Sequence, residues 1–368
     1  MDGGAAQDDS EGSRTVRLTQ IVPCLPPPEE GVGGIALSLA GALAEAGIGS
    51  RFVVPAPHGA AATAAGLDAV EIAPEPAALA SALEGGGKAI LHYAGYGYHS
   101  RGVPRWLADG LALSKVPLWT QFHEVWATGP PWRSSFWLGP LQRRIVGAIG
   151  DRSERISTSL DLYADLIRST LADPGRPIEV KPVVSGIGEP AEAPPYGQRE
   201  PRLIVFGGPG VRGGAYEKFA GRIESAARAL GLAEIWDVGP GRVSPRNLGA
   251  LPVRRLGPLP AGEVSGLLAE TAAGFLAYPL GFLGKSSVFA AYASHGVLPV
   301  CSGRPAAATN PAGPHEGAPF WNVGDARAAA NQPSDPAGIA AAARSWYLTH
   351  SLARQAADLA AWVGGSAQ

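Results

Sequence analysis

Cysteine is almost absent from this 368-residue sequence: only Cys24 and Cys301 occur, and they lie far apart. Two distant cysteines build neither a disulfide framework nor a zinc site. Cysteine usage this low is typical of a reducing compartment, so we predict a cytoplasmic protein.

The sequence also lacks an excess of either charge. Its 30 Lys and Arg residues nearly balance its 32 Asp and Glu residues, and neither sign is concentrated in a long run. This balance excludes the electrostatic footprint of a nucleic-acid-binding protein and favours a small-molecule partner.

Long apolar runs are missing as well. The apolar stretches are interrupted before the roughly 20 residues that a membrane span needs, so we predict no transmembrane segment and leave peripheral membrane contact open. The opening segment, MDGGAAQDDSEGSR, has neither a basic n-region nor an apolar h-region. We therefore expect no secretory signal and interpret residues 1–14 as a disordered lead-in.

Short strands and helices alternate along most of the chain. TVRLTQIV, SRFVVP and KAILHY have the pattern of strands, and IALSLAGALAEAG has the pattern of a helix that stops at Gly47. Such alternation predicts a parallel sheet covered by helices on both faces. The same order repeats after the Pro- and Gly-rich stretch at 185–202, which has the composition of an interdomain linker. We predict an α/β protein with two domains, at 15–195 and 196–345, and a C-terminal helix at 346–368.

Three glycine-containing segments precede predicted helices, where unpaired N–H groups and the helix dipole favour an anion. They are the segments with Gly31, Gly33 and Gly34, with Gly207, Gly208, Gly210 and Gly213, and with Gly284, Lys285, Ser286 and Ser287. The second contains a literal G-x-G-x-x-G after a strand, with Asp237 near the end of the next strand, which is the context of a dinucleotide fingerprint. Pro209 stiffens that turn, and chance matches are common among 50 glycines. An NAD(P)-dependent Rossmann enzyme and a glycine-rich turn without a ligand are both alternatives.

In their order and spacing, five segments resemble the GT-B glycosyltransferases, specifically the large retaining type called family 4. The segments are GVGGIALSLAGALAEAGIGSRFVV, WTQFHE, PVVSGIGEP, VRRLGPLPAGEVSGLLAETAAGFLAYP and FAAYASHGVLPVCS. The resemblance covers most of residues 15–365. It implies two Rossmann-like domains with parallel sheets that face each other across a cleft, and a last helix that crosses back to the first domain.

The resemblance also implies an activity. An enzyme of this type transfers a sugar from a nucleoside-diphosphate-sugar donor, held mainly by the second domain, to an acceptor hydroxyl held mainly by the first. It retains the anomeric configuration and needs neither a metal nor a cofactor. This chain has no Asp-x-Asp pair and no spaced His/Cys cluster that would bind a metal.

The donor site that the resemblance implies must stabilise the negative charge left on the nucleotide when the sugar–diphosphate bond breaks. In the family an Arg and a Lys near the first helix of the second domain do this, and Arg212 and Lys218 are the candidates here; the alternative is that both are solvated surface charges. The other residues of the predicted donor site are Gly33, Gly34, Gly208, Gly257, Leu259, Gly284, Lys285, Ser286 and Ser287.

Two acidic residues of the family are missing around the helix that follows Lys285. Alignment on Gly296 puts their positions at Leu283 and Ala291. In the family the first acid contacts the donor sugar and the second contacts the ribose, so a GT-B-shaped nucleotide- or sugar-binding protein without turnover is a second hypothesis. Lys285 and two hydroxyls at a helix start suit a phosphate, and a serine N-cap beside a surface lysine is the alternative.

Polar and aromatic residues concentrate in two segments of the first domain, at 92–102 and 122–137. Each begins at the carboxyl end of a predicted strand, where open α/β sheets bind ligands. Aromatic rings interleaved with polar donors suit a small-molecule, glycan or glycolipid acceptor, while some of the tryptophans are expected in the core. His123 matches the family's histidine that contacts the donor sugar, and Glu124 and His99 are further candidate catalytic residues. The predicted acceptor-binding residues are Tyr96, Tyr98, Arg101, Trp132 and Arg133.

Overall fold

The computed structural model describes residues 16–25, 31–58, 66–127, 131–132, 134–304 and 319–365. The predicted lead-in at 1–14 lies outside the described residues. No helix within them is long and apolar enough to span a membrane.

The first half of the chain forms a seven-stranded sheet in which all paired strands are parallel. Its strands are β1 (Arg17–Ile21), β2 (Gly49–Pro55), β3 (Ala69–Ile72), β4 (Lys88–Tyr93), β5 (Leu118–Phe122), β6 (Arg155–Thr158) and β7 (Glu179–Val180). They lie side by side in the order β3-β2-β1-β4-β5-β6-β7. The order reverses between β1 and β4, and the crevice beyond the carboxyl ends of such strands is where open α/β sheets bind ligands.

Helices connect these strands and cover the sheet. They are α1 (Gly31–Glu45), α2 (Pro76–Leu83), α3 (Gly95–Tyr98), α4 (Arg105–Leu113), α5 (Ser134–Arg152) and α6 (Asp161–Arg168). Strand β5 is buried along its whole length and β4 almost so, as expected of central parallel strands that are covered on both faces.

The second half forms another seven-stranded sheet, parallel except for the β10–β11 pair. Its strands are β8 (Glu200–Phe206), β9 (Glu234–Val238), β10 (Asn247–Leu248), β11 (Leu251–Gly257), β12 (Thr271–Ala277), β13 (Leu298–Ser302) and β14 (Trp321–Asn322). The order is β10-β11-β9-β8-β12-β13-β14, which reverses between β8 and β12. Its helices are α7 (Pro209–Ala229), α8 (Ala261–Glu270), α9 (Ser287–Ser294), α10 (Ala326–Ala330) and α11 (Pro336–Leu348).

Helix α9 packs very closely on β12. A Cβ atom added at Gly274 would lie 2.6 Å from the Tyr292 ring, so only glycine lets this helix approach the strand so closely. The Tyr292 hydroxyl lies 3.3 Å from the Ile204 carbonyl and 3.2 Å from the Phe275 carbonyl. These contacts hold α9 against the face of the second sheet.

The last helix, α12 (Leu352–Gly364), packs on α1 of the first half. Leu39 and Leu43 of α1 share a buried apolar cluster with Leu359. Lys88 donates a hydrogen bond of 2.6 Å to the Gly365 carbonyl at the end of this helix. The predicted fold class is confirmed: two parallel-sheet α/β domains, with a C-terminal helix that crosses back to the first. The predicted domain boundaries stay a prediction.

Candidate active site

A cavity of about 580 Å³ lies between the two domains at the carboxyl ends of their strands. Gly34 of α1, Tyr96 after β4 and His123 after β5 line it from the first domain. Lys285 and Ser287, which follow β12, line it from the second domain. Because β1 and β4 flank one reversal of strand order and β12 flanks the other, the cavity occupies the binding crevice of both sheets.

His123 is the most deeply placed polar side chain of this cavity wall, at 6% exposure. Its backbone N–H donates to the Tyr93 carbonyl over 2.9 Å, and its Nε2 lies 3.2 Å from Nδ1 of the fully buried His92. Burial, together with the positive charge of Lys285, lowers the pKa of His123 to about 4. The imidazole is therefore uncharged at neutral pH and is suited to hydrogen bonding more than to taking up a proton.

Lys285 reaches from the second domain to two residues of the first. Its Nζ lies 3.1 Å from a Glu124 carboxylate oxygen and 3.3 Å from the Tyr163 hydroxyl. Burial opposes its charge, but Tyr163 and Glu124 outweigh burial and raise the pKa of Lys285 above its ordinary value. Lys285 is thus a fixed positive charge in the cavity, and its present partner is an anion of the opposite wall.

Of the residues around Lys285, Ser286 and Gly284 make structural hydrogen bonds, and Ser287 lines the cavity. The Ser286 hydroxyl accepts a hydrogen bond of 3.2 Å from the Phe289 N–H and is the N-cap of α9, which is the alternative considered for it from the sequence. Gly284 is buried, and its carbonyl accepts from the Val183 N–H over 2.9 Å. Ser287 is exposed and lines the cavity, and its contact with a donor stays a prediction.

The predicted glycines also differ in position. A Cβ atom at Gly33 would lie 2.5 Å from the Cys24 carbonyl oxygen, so this glycine allows α1 to approach the loop after β1. Gly34 faces open space and lines the cavity. Gly208 precedes α7, and Gly257 ends β11, so both lie at the carboxyl edge of the second sheet. Leu259 packs partly buried on the core of that domain. Their contacts with a donor stay predictions.

Arg212 points into the protein. It is fully buried, and its guanidinium binds both carboxylate oxygens of Asp237 at 2.7 Å. It also donates to the Gly207 carbonyl at 2.8 Å and to the Pro240 carbonyl. Its donors are thus occupied by the glycine loop and Asp237, and the predicted phosphate contact of Arg212 stays a prediction. Lys218, further along α7, is exposed and is not among the residues that line the cavity.

The side chains of Tyr98 and His99, both in the first domain, make hydrogen bonds to backbone atoms. Tyr98 is buried, and its hydroxyl lies 3.0 Å from the Ile21 carbonyl and 3.1 Å from the His92 carbonyl. His99 is exposed, and its Nδ1 accepts from the backbone N–H of Arg101 at 3.1 Å. Neither lines the cavity. In this structure both side chains contact backbone, and the acceptor contact of Tyr98 and the catalytic role of His99 stay predictions.

A smaller space of about 200 Å³ adjoins the main cavity. Tyr96 and Glu124 line both, and Trp126 and Gln142 line the smaller one. The buried Gln142 donates to the Tyr96 hydroxyl at 3.2 Å, which orients that ring. Aromatic and amide groups at the first-domain side of the cleft suit a polar ring-shaped acceptor.

The remaining predicted acceptor residues lie at the surface or beyond the described chain. Arg101 is exposed, and Trp132 is 83% exposed. Arg133 lies outside the described residues. None of the three is tested by the cavity geometry, and their acceptor contacts stay predictions.

Sequence reasoning missed Tyr163 and gave His92 and Gln20 no role. Tyr163 sits in an ordinary amphipathic helix, so no local signal marks it as a contact of Lys285. Gln20 carried a usable signal, because a glutamine next to Ile21 and Val22 in a strand of the core must find a partner when it is buried. Among the described residues, no group of three or more His, Cys, Asp or Glu side chains could hold a metal ion.

No protein-family model matches the sequence, and no curated protein sequence matches it either. Solved structures do match over nearly the whole chain. An alpha-glucosyltransferase in complex with UDP is 9% identical, with a TM-score of 0.56 over 94% of this chain and 99% of that chain. HepE from Anabaena, in complex with UDP and glucose, is 11% identical, with a TM-score of 0.61 over 95% and 99%.

WaaG, a glycosyltransferase involved in lipopolysaccharide biosynthesis, is also 11% identical, with a TM-score of 0.55 over 95% of this chain and 100% of that chain. Sequence identities this low carry no information on substrates, but the agreement in architecture extends over both domains. The chain has the GT-B fold of these glycosyltransferases.

Proposed function

We propose that the protein transfers a sugar from a nucleoside-diphosphate sugar to an acceptor hydroxyl, without a metal and with retention of configuration. The observation that carries the proposal is the cavity between the domains. It brings His123 and Glu124 of one domain opposite Lys285 and Ser287 of the other. The UDP complexes of structures with the same fold support a nucleotide donor.

Lys285 is the residue best suited to the leaving group. When the bond between the anomeric carbon and the diphosphate oxygen breaks, negative charge develops on that oxygen and needs a cation and N–H donors. Lys285 supplies the cation, and the start of α9 supplies backbone N–H groups next to Ser287. A diphosphate would compete with Glu124 for Lys285, so donor binding would free the Glu124 carboxylate on the acceptor side.

His123 is suited to orienting a hydroxyl of the donor or acceptor sugar. It is neutral, because its pKa is about 4, and it lines the same cavity as Lys285. A neutral imidazole hydrogen-bonds a hydroxyl without adding charge at a carbon that itself becomes positive during transfer. This arrangement supports an orienting role for His123.

A nucleotide- or sugar-binding protein without turnover is the second candidate function. The positions that correspond to the family's acids, Leu283 and Ala291, are each 1% exposed and belong to the apolar core. The donor would therefore have to be held without those carboxylates. A dinucleotide enzyme has less support, because the Asp237 carboxylate that would bind the ribose is buried against Arg212 and Ser244.

Changing Lys285 to Ala is expected to weaken nucleoside-diphosphate binding about 10- to 100-fold, since a charge-assisted hydrogen bond contributes about 1.5–3 kcal/mol. The loss of the partly exposed pair with Glu124 should change the free energy of unfolding little. Isothermal titration of UDP and GDP measures the affinity. Lys115→Ala, an exposed lysine at the opposite edge of the first sheet, is the matched control.

Glu124→Gln is the complementary change. It removes the carboxylate that competes for Lys285, so the affinity for the nucleoside diphosphate should rise. An unchanged affinity in Lys285→Ala, or a fall in Glu124→Gln, would remove Lys285 from the donor site.

A ligand panel tests the proposed function itself. Thermal unfolding is followed with UDP-, GDP-, ADP- and dTDP-sugars and with NAD and NADP, each with and without EDTA. We expect at least one nucleotide sugar to raise the melting temperature equally with and without EDTA, and neither dinucleotide to do so. Stabilisation by NAD or NADP alone would overturn the proposal in favour of a dinucleotide enzyme, and stabilisation lost in EDTA would overturn metal independence.

A further inference from the structure

A row of buried hydrogen bonds leads from the cavity wall into the first sheet. His123 Nε2 lies 3.2 Å from His92 Nδ1, and His92 Nε2 lies 3.0 Å from Gln20 Oε1. The Gln20 amide nitrogen donates to the Ser50 hydroxyl over 2.9 Å. His92 and Gln20 are fully buried. The row runs from the residue that follows β5 through β4, β1 and β2, which lie side by side, so the backbone holds each member in place.

The donors in this row all point the same way. Because the Gln20 nitrogen is turned to Ser50, its oxygen faces His92, and the His92 Nε2 must carry the hydrogen. Burial, with a smaller contribution from His123, lowers the pKa of His92 well below its ordinary value, so the ring is neutral. A neutral ring with a hydrogen on Nε2 has a lone pair on Nδ1. His123 must therefore donate from its Nε2, which leaves its Nδ1 as a hydrogen-bond acceptor.

We propose that Gln20 and His92 are positioning residues that hold His123 in the Nε2–H tautomer, so that its Nδ1 accepts a hydrogen bond from a sugar hydroxyl in the cavity. This inference rests on the proposed function for the identity of the ligand, but the tautomer itself does not depend on it. The uncharged amide of Gln20 is what matters: it accepts from His92 without attracting a second proton to that ring.

The other charged and titratable groups around the row do not disturb this arrangement. Lys285 acts on His123 through its positive charge and disfavours protonation. The Glu124 carboxylate is bound to Lys285. Tyr98 is the phenol beside His92, and burial raises its pKa well above the ordinary value, so it stays neutral and bonds only backbone carbonyls.

Replacing Gln20 with Glu should reverse the direction of the hydrogen bond between His92 and His123. A carboxylate at this position raises the pKa of His92, and a protonated His92 donates from both nitrogens. His123 must then accept at Nε2 and carry its hydrogen on Nδ1, where it no longer accepts from a hydroxyl. We expect kcat/KM to fall about tenfold or more at low pH, equivalent to one lost hydrogen bond, and to recover as the pH rises and His92 loses its proton.

Nitrogen NMR of isotope-labelled imidazole rings in the full chain tests the proposal without any substrate. The His123 signals are assigned by their loss in His123→Gln. At pH 7 we expect the neutral Nε2–H pattern in the natural sequence and the Nδ1–H pattern in Gln20→Glu. Gln198→Glu, which adds the same charge at an exposed position, is the matched control and should keep the Nε2–H pattern.

An Nδ1–H or protonated His123 in the natural sequence would overturn the inference, even if Gln20→Glu did not fold. A pH-independent loss of activity in folded Gln20→Glu would also overturn it, because a packing defect has no reason to depend on His92 protonation. Failure of the proposed function is a separate result, since it would leave the ligand panel negative whatever the tautomer.

Discussion

Replacing Arg212 with Met should lower the free energy of unfolding by about 3–5 kcal/mol, because it leaves the buried Asp237 carboxylate without its counter-charge. The Nη1 atom of Arg212 lies 2.7 Å from both carboxylate oxygens of Asp237, and both side chains are shielded from water. The guanidinium also ties the Gly207 carbonyl to the loop after β9. Urea unfolding at pH 7 measures the change.

Two further variants show whether the loss of stability comes from the unpaired buried charge of Asp237. Arg228→Met, in the exposed pair with Glu224 on the same helix, should cost less than about 1 kcal/mol. Arg212→Met combined with Asp237→Leu should recover much of the loss, because neither charge is then buried alone. If Arg212→Met unfolded normally but lost nucleotide affinity, its role would be ligand contact and the structural role would be wrong.

Acidification should destabilise the protein steeply between pH 7 and pH 5. Burial lowers the pKa of His123, His295 and His350 to about 4. In the unfolded chain these groups take up protons near pH 6.5, so between about pH 6.5 and 4 the unfolded state binds more protons and stability rises with pH. At pH 5 each group removes about 2 kcal/mol of stability, a large share of the roughly 5–15 kcal/mol of a typical domain.

His350→Phe provides the test of this mechanism. The His350 ring lies 4.4 Å from the Trp346 ring, and its buried Nε2 has no hydrogen-bond partner among the described residues. Phenylalanine keeps the aromatic contact and cannot be protonated, so the loss of stability between pH 7 and 5 should shrink. His58→Gln, an exposed histidine, is the matched control. An identical pH dependence in His350→Phe and the natural sequence would contradict the explanation.

Local patterns predicted two α/β domains with parallel sheets, and the family resemblance supplied the arrangement of the two domains and the helix that crosses back. The apolar run KAILHY coincides with β4, and the two alternating series became two sheets with the same reversal of order. The prediction of the last helix was less accurate, because a single helix was expected there. The structure has two, and Ser351 is the N-cap of the second, α12. A serine inside an Ala-rich stretch is a weak signal, and the Glu189 carboxylate that accepts from the Leu352 N–H at the break is distant in sequence.

The site was predicted less well, because its partners are distant in sequence. Lys285 was identified from its helix start, but nothing local indicates that Glu124 and Tyr163 would hold it. Arg212 was a candidate phosphate ligand because the family resemblance implies an Arg near the first helix of the second domain. Its direction was decided by Asp237, 25 residues away, whose buried carboxylate requires a cation.

The proposed sugar transfer, with His123 in the active site, is tested most directly by donor turnover in the natural sequence and in His123→Ala. Release of nucleoside diphosphate is measured for the donor that stabilises the protein most, with the affinity for the free diphosphate measured in parallel. We expect measurable release by the natural sequence and a fall of about 100-fold in kcat in His123→Ala, with diphosphate affinity unchanged. No release from any donor, or an equal fall in affinity and turnover, would contradict it.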